Sequence, residues 1–167
     1  LKMVRRIINL LILLSCFSAN AQRYLAKDGV VSFFSETPLE NIKAVNSNLS
    51  AVYDSENDDL VFQLKISDFI FPIPLMQEHF NENYLESDVF PKSNFIGKVI
   101  SVKDNIAFVD GYLEIHGKSN PLKIQGTLIR EKKSVLISSN FVVRLVDFDI
   151  RIPKIVMYKI AEEISVS

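Results

Sequence analysis

Proton transfer needs titratable side chains held close together, and this chain offers few. Glu78 and His79 are neighbours, and a carboxylate beside an imidazole is the pair a hydrolase would use as acid and base. The plainer reading is a solvated glutamate beside a hydrogen-bonding histidine at a rim. Glu114 and His116 share one face of a strand pattern, which suits an ion pair better than catalysis. With only two histidines, far apart, and Cys16 as the sole cysteine, no metal ligand set is expected. A Ser-His-Asp triad assembled from distant positions stays open. No Gly-x-Ser-x-Gly elbow, Gly-x-Gly-x-x-Gly turn or Walker loop occurs.

The element that would carry Glu78 and His79 is a short helix over 74–86. Pro72 and Pro74 stop the preceding strand, and the fixed φ of Pro74 suits a first helical position. Met76, Phe80 and Tyr84 then recur every four residues as one apolar stripe. A helix this short must lay that stripe on something apolar.

Strand patterns flank it on both sides. Asp28-Gly29 reads as a hairpin turn between Arg23–Ala26 and Val30–Phe34. Pro38–Ile42 reads as a turn, and Asn46-Ser47-Asn48 as a break before a strand at 49–53. In the run 60–66, Phe62, Leu64 and Ile66 point one way and Gln63 and Lys65 the other. Runs at 94–102, 107–117 and 122–128 follow, with Leu113 and Ile115 on one side of the second, Lys118–Pro121 as a turn, and Gly97 hinting at a bulge. Further strands are read at 135–145, 148–152 and 161–166. One dry and one wet face per strand is the habit of antiparallel sheets. Eight or nine such strands with one helix give an all-β fold, a sandwich or a barrel.

The first 21 residues read as an export signal. Lys2, Arg5 and Arg6 precede the apolar run 7–17, too short to span a bilayer, and Ala19-Asn20-Ala21 offers a cleavage site after Ala21. Acylation at Cys16 is the minor alternative, disfavoured by bulky Leu14. A periplasmic or secreted protein is expected, as one domain over 22–167 without a membrane span. Losing three cations leaves 19 − 3 = 16 Lys and Arg against 20 acids, a net charge of −4. Such a surface is unsuited to nucleic acid, whose affinity comes from phosphate neutralisation.

Three stretches together resemble the YceI-like family of exported lipid-binding proteins. They are Val31-Ser32-Phe33-Phe34-Ser35-Glu36-Thr37-Pro38 with Ile42-Lys43-Ala44, then Phe71 to Phe95 with Met76-x-x-His79-Phe80 and Phe90-Pro91, and then Leu113-x-Ile115-His116-Gly117 with Asp147-Phe148-x-Ile150-x-Ile152-Pro153. Lys118 departs from the small or β-branched residue often found there. The resemblance implies an eight-stranded, antiparallel, lipocalin-like β-barrel. It also implies a pore for a polyisoprenoid, an isoprenoid quinone or a fatty-acid-like lipid, with no catalysis and no cofactor. Twelve Phe and no Trp suit apolar walls. The candidate wall residues are Phe62, Leu64, Leu113, Ile115, Phe141 and Phe148. From the helix, Met76, Phe80 and Tyr84 would touch the ligand, with His79, Tyr84 or Glu78 at its head group. Outward apolar residues leave room for a homodimer. Two readings compete with the carrier: a hydrolase using Glu78 and His79, and a filled β-sandwich serving as a protein-interaction module.

Overall fold

Alternation of apolar and polar side chains fixes which face of each strand turns inward, and the chain obeys it over most of its length. The computed structural model describes residues 22–156 and 158–167; the signal read at 1–21, Cys16 included, lies outside them. Among the described residues nine strands form one antiparallel sheet: β1 (Arg23–Glu36), β2 (Asn41–Asp54), β3 (Asp59–Lys65), β4 (Lys92–Lys103), β5 (Ile106–Ile115), β6 (Lys118–Arg130), β7 (Val135–Ser139), β8 (Phe141–Arg144) and β9 (Glu163–Val166). In β3, Leu60 and Leu64 are buried and Phe62 is half-buried, while Val61, Gln63 and Lys65 are exposed.

The strand order is β7-β6-β5-β4-β3-β2-β1-β9-β8. Only Asn140 separates β7 from β8 in the chain, yet they stand at opposite ends of that order. The sheet must therefore curl until its ends meet, which makes a barrel. β9 lies between β8 and β1, pairing Val166 with both Phe141 and Phe33. The Ser32–Ser167 backbone pair extends that seam, but among the described residues β1 nearer Arg23 has only β2 beside it, so the barrel is nearly closed.

Several expectations need correction. The strand count is nine rather than eight, because the run 135–145 breaks at Asn140. Asp28-Gly29 makes no hairpin; β1 and β2 run through as 14-residue strands with two register shifts. The first shift adds a residue on β1 and the second one on β2, so they cancel and inward parity is restored. Asn46, fully buried, serves the second: its Nδ2 donates to the Lys65 carbonyl and its Oδ1 accepts from the Asn48 N–H, both at 2.9 Å. Asn46-Ser47-Asn48 thus forms a bulge and not a break. Lys118–Pro121 is strand; the turn lies just before it, at His116 and Gly117, both with positive φ. Pro121 is tolerated because β7 covers β6 only from Gly126 onward. Residues 148–152 are not a strand: a 3-10 turn over Leu145–Phe148 ends in left-handed Asp149.

The helix is shorter than its pattern. α1 (Pro74–His79) passes into one wide π turn over Phe80–Tyr84, closed by the Leu85 N–H on the Phe80 carbonyl at 2.9 Å. The turn brings both Tyr84 and buried Leu85 to the inner side.

Candidate functional site: an apolar cavity capped by the helix

The inner wall is built by register. Phe62 pairs with Phe95, and Phe95 with Leu113, so the three stand in one inward row across β3, β4 and β5. The Phe62 and Phe95 rings lie 6.3 Å apart. Gly97 makes no bulge; the irregularity falls between Val99 and Ser101. Instead Gly97 and its partner Gly111 clear space for the Phe95 ring, whose atoms would sit 2.6 and 2.5 Å from a Cβ at those positions.

Phe80 holds the helix over one end. Its ring centroid lies 4.9 Å from Phe71, 5.5 Å from Phe33 and 5.6 Å from Phe69. Each such pair adds about 0.5–1.5 kcal/mol beyond burial, so Phe80 ties the helix to β1 and to the segment after β3. At the far end a polar network crosses between strands. Tyr53, almost wholly buried, donates to Asp58 at 2.6 Å; Arg130 donates to Tyr53 and, at 3.1 Å, to Asp58. Burial, reinforced by Asp58, pushes the Tyr53 phenol above its usual pKa.

Between these ends lies a cavity of about 800 Å³, within the range of ligand pockets. Leu60 and Leu128 line it near the network, and Leu64, Val109 and Ile124 along its length. Two buried serines in the wall already have partners: Ser93 Oγ donates to the Glu114 carbonyl at 2.7 Å, and Ser35 Oγ accepts from the Ala161 N–H at 2.9 Å. The charged and ionisable groups lie where the cavity reaches the helix end: His79, Glu40 and Lys159, with Lys159 Nζ 3.7 Å from Glu40 Oε2. Tyr84 also lines the cavity, and burial pushes its phenol up. The cavity also reaches the seam, beside Val30 and Ser167.

Of the candidate residues, Phe62, Leu64, Leu113, Ile115 and Phe141 line the cavity from the wall, and Met76, His79, Phe80 and Tyr84 from the helix and its π turn. Phe148 does not; it is buried in the 3-10 turn after β8. Glu78 is exposed and outside the lining. His116 does not share a strand face with Glu114. Its turn directs Nε2 to Glu86 at 2.8 Å and Nδ1 to the Phe148 carbonyl at 3.1 Å, with the Phe90 ring 4.5 Å away. This contact knits three loops at the rim. Sequence reading missed Phe33, Phe69, Phe71 and Phe95 as lining residues. The alternation of Val31 with Phe33, and the i, i+2 spacing of Phe69 and Phe71, were the available signals.

Among the described residues no cluster of His, Cys, Asp or Glu is placed to hold a metal ion, and no helix is long and apolar enough to cross a membrane.

Residues 28–167 match the YceI-like domain. The chain belongs to the YceI-like family. Solved structures share the fold at low identity. BcnA of Burkholderia cenocepacia is 14% identical with a TM-score of 0.72, over 82% of this chain and 91% of that one. A polyisoprenoid-binding domain from Saccharophagus degradans is 11% identical with a TM-score of 0.70, over 88% and 95%. The Campylobacter jejuni YceI protein is 17% identical with a TM-score of 0.63, over 78% and 83%. No curated protein matches the chain. The lipocalin-like barrel of the YceI-like family is thus the architecture of this chain.

Proposed function

We propose that this YceI-like barrel carries or stores one long-chain amphiphile, a polyisoprenoid, an isoprenoid quinone or a fatty-acid-like lipid, without acting on it. The observation that carries the reading is the cavity itself: about 800 Å³, walled by aliphatic and phenylalanine side chains, with its charged groups gathered at the helix end. The relative from Saccharophagus degradans, a polyisoprenoid-binding domain, supports the same class of ligand. Such a wall recognises hydrocarbon. On the order of ten buried methylenes contribute about 8 kcal/mol, a micromolar affinity before ordering costs. The tail lies among Phe62, Leu64, Leu113, Ile115 and Phe141. Met76, Phe80 and Tyr84 touch it from above, and the head group faces His79, Glu40 and Lys159.

The test is displacement of cis-parinaric acid, a fluorescent fatty acid, by geranylgeraniol. Saturable uptake at micromolar concentration, and its displacement, are expected; no uptake by the folded protein contradicts the reading. We also propose that the protein works outside the cytoplasm after cleavage following Ala21, on the strength of the Lys2, Arg5, Arg6, apolar-run and Ala-Asn-Ala order. Intact mass of the exported protein tests it, and a lipid-modified Cys16 would contradict it.

A further inference from the structure

The barrel is open along part of its side. β9 pairs with β1 only at Phe33 and Phe34, and the Ser32–Ser167 pair adds one step. Among the described residues, β1 between Arg23 and Val31 has only β2 beside it in the sheet, and β7 has only β6. These two free edges face each other. β1 and β8 both run antiparallel to β9, and Phe33 and Phe141 both pair with Val166. The residues just before that level, Val30 and Val31 on β1 and Ser138 and Ser139 on β7, are therefore the two banks of one gap.

Burial agrees with an open edge. In a closed wall every second residue turns inward and is covered, yet Leu25, Ala26, Lys27 and Asp28 are exposed in succession. On the other bank Val135, Ile137 and Ser139 are only half-buried, whereas inward Leu128 on β6 is 2% exposed. The cavity reaches the gap from inside: all four bank residues line it, Val30 while 60% exposed. A smaller hollow of about 480 Å³ adjoins the gap. It shares Phe33, Phe141 and Val166 with the cavity and is bounded on the outside by Phe34 and Val142, 36% and 52% exposed.

The far end turns a chain toward this gap. Arg23 pairs with Asp54 and Arg130 with Val135, so the gap runs down the wall to the network of Tyr53, Asp58 and Arg130. A hydrocarbon running down from the helix end meets those polar groups ahead of it, where it gains nothing, and the gap beside it. We propose that the gap between β1 and β7 is a side exit for the tail, so that the ligand class is an isoprenoid or acyl chain longer than the cavity. The proposal rests on the carrier reading and deepens it. The head group stays at the helix end and the first part of the chain fills the cavity. The remainder leaves past Val30 and Ser138, with partial cover from Phe34 and Val142. With the side sealed, a longer chain must leave its surplus at the helix mouth and unseat the head group. That costs the head-group hydrogen bonds, about fivefold each.

The experiment is displacement of cis-parinaric acid by geranylgeraniol and by the much longer solanesol, both delivered from cyclodextrin, together with thiol protection. The wild type should bind solanesol at least as tightly as geranylgeraniol. Val30→Trp with Ser138→Trp puts two indoles in the gap, and the ratio of solanesol to geranylgeraniol affinity should fall about tenfold. Ile96→Trp, on the outer wall of β4, is the control and should keep the wild-type ratio. In a Cys16→Ser background, Val30→Cys leaves one thiol, on the bank of the gap. Solanesol should slow its reaction with a maleimide several-fold more than geranylgeraniol does. That readout needs no blocking variant and holds even where the tryptophan pair fails to fold. Geranylgeraniol bound without solanesol overturns the exit and leaves the carrier reading standing. Solanesol bound with no extra protection of the thiol, or with the wild-type ratio in a folded tryptophan pair, also overturns the exit alone. Binding of neither alcohol by the folded protein defeats both.

Discussion

Filling the cavity separates a ligand inside the barrel from one held on its surface. Ile124 on β6 faces the cavity and is only half-buried, so open space lies beside its side chain. The chain contains no tryptophan, and Ile124→Trp therefore adds both bulk and a unique fluorophore. The indole carries about six more side-chain atoms than isoleucine, and a chain excluded from that volume loses up to ~5 kcal/mol of burial at ~0.8 kcal/mol per methylene. That is three to four decades of affinity at about 1.4 kcal/mol per decade. The indole enters open space, so the melting temperature should hold or rise, and its emission should be blue-shifted as in an apolar site. The assay is displacement of cis-parinaric acid by geranylgeraniol, with a thermal melt on the same sample. Wild-type affinity in a folded Ile124→Trp protein with blue-shifted emission would refute the reasoning, because the ligand would then lie elsewhere.

Other perturbations read other parts of the account. Phe80→Ala removes the ring shared by Phe33, Phe69 and Phe71; a loss of about 3 kcal/mol and about 10 °C in Tm is expected, with faster amide exchange confined first to 74–84. His79→Ala alters one exposed group at the mouth, so cis-parinaric acid affinity should change by less than about tenfold, and neither form should turn over p-nitrophenyl palmitate; turnover lost in the variant would favour the hydrolase. The Lys118 ammonium holds the Asp149 carboxyl below its ordinary range, and Arg23 does the same for Asp54. A folded-state value below the unfolded one gives stability that is present above the unfolded pKa and is lost as pH falls through the folded one. Tm of the wild type should therefore drop on acidification below about pH 4, and Asp149→Asn should be less stable at neutral pH, with the gap closing in acid.

Much of the barrel was legible because alternation is a local signal. Leu64, Leu113 and Ile115 turn inward as their period-two patterns require, and the Met76, Phe80, Tyr84 stripe faces the cavity. What alternation cannot convey is where a strand changes partner. The run 135–145 has no proline or glycine, yet at Asn140 it leaves β6 and joins β9, and that exchange closes the barrel. Asp28-Gly29 has hairpin chemistry but sits in a bulge that a second bulge cancels. Phe148 keeps apolar alternation with Ile150 while lying in a 3-10 turn, where parity says nothing about facing. His116 pairs with Glu86, 30 residues away in sequence, a contact made only when the loops at the rim are brought together.

Native mass spectrometry of the purified protein, followed by organic extraction and identification of the released molecule, tests the central claim most directly. One equivalent of a non-covalent long-chain lipid, absent from Ile124→Trp, is the predicted result. A ligand-free wild type that also fails to take up geranylgeraniol would contradict it.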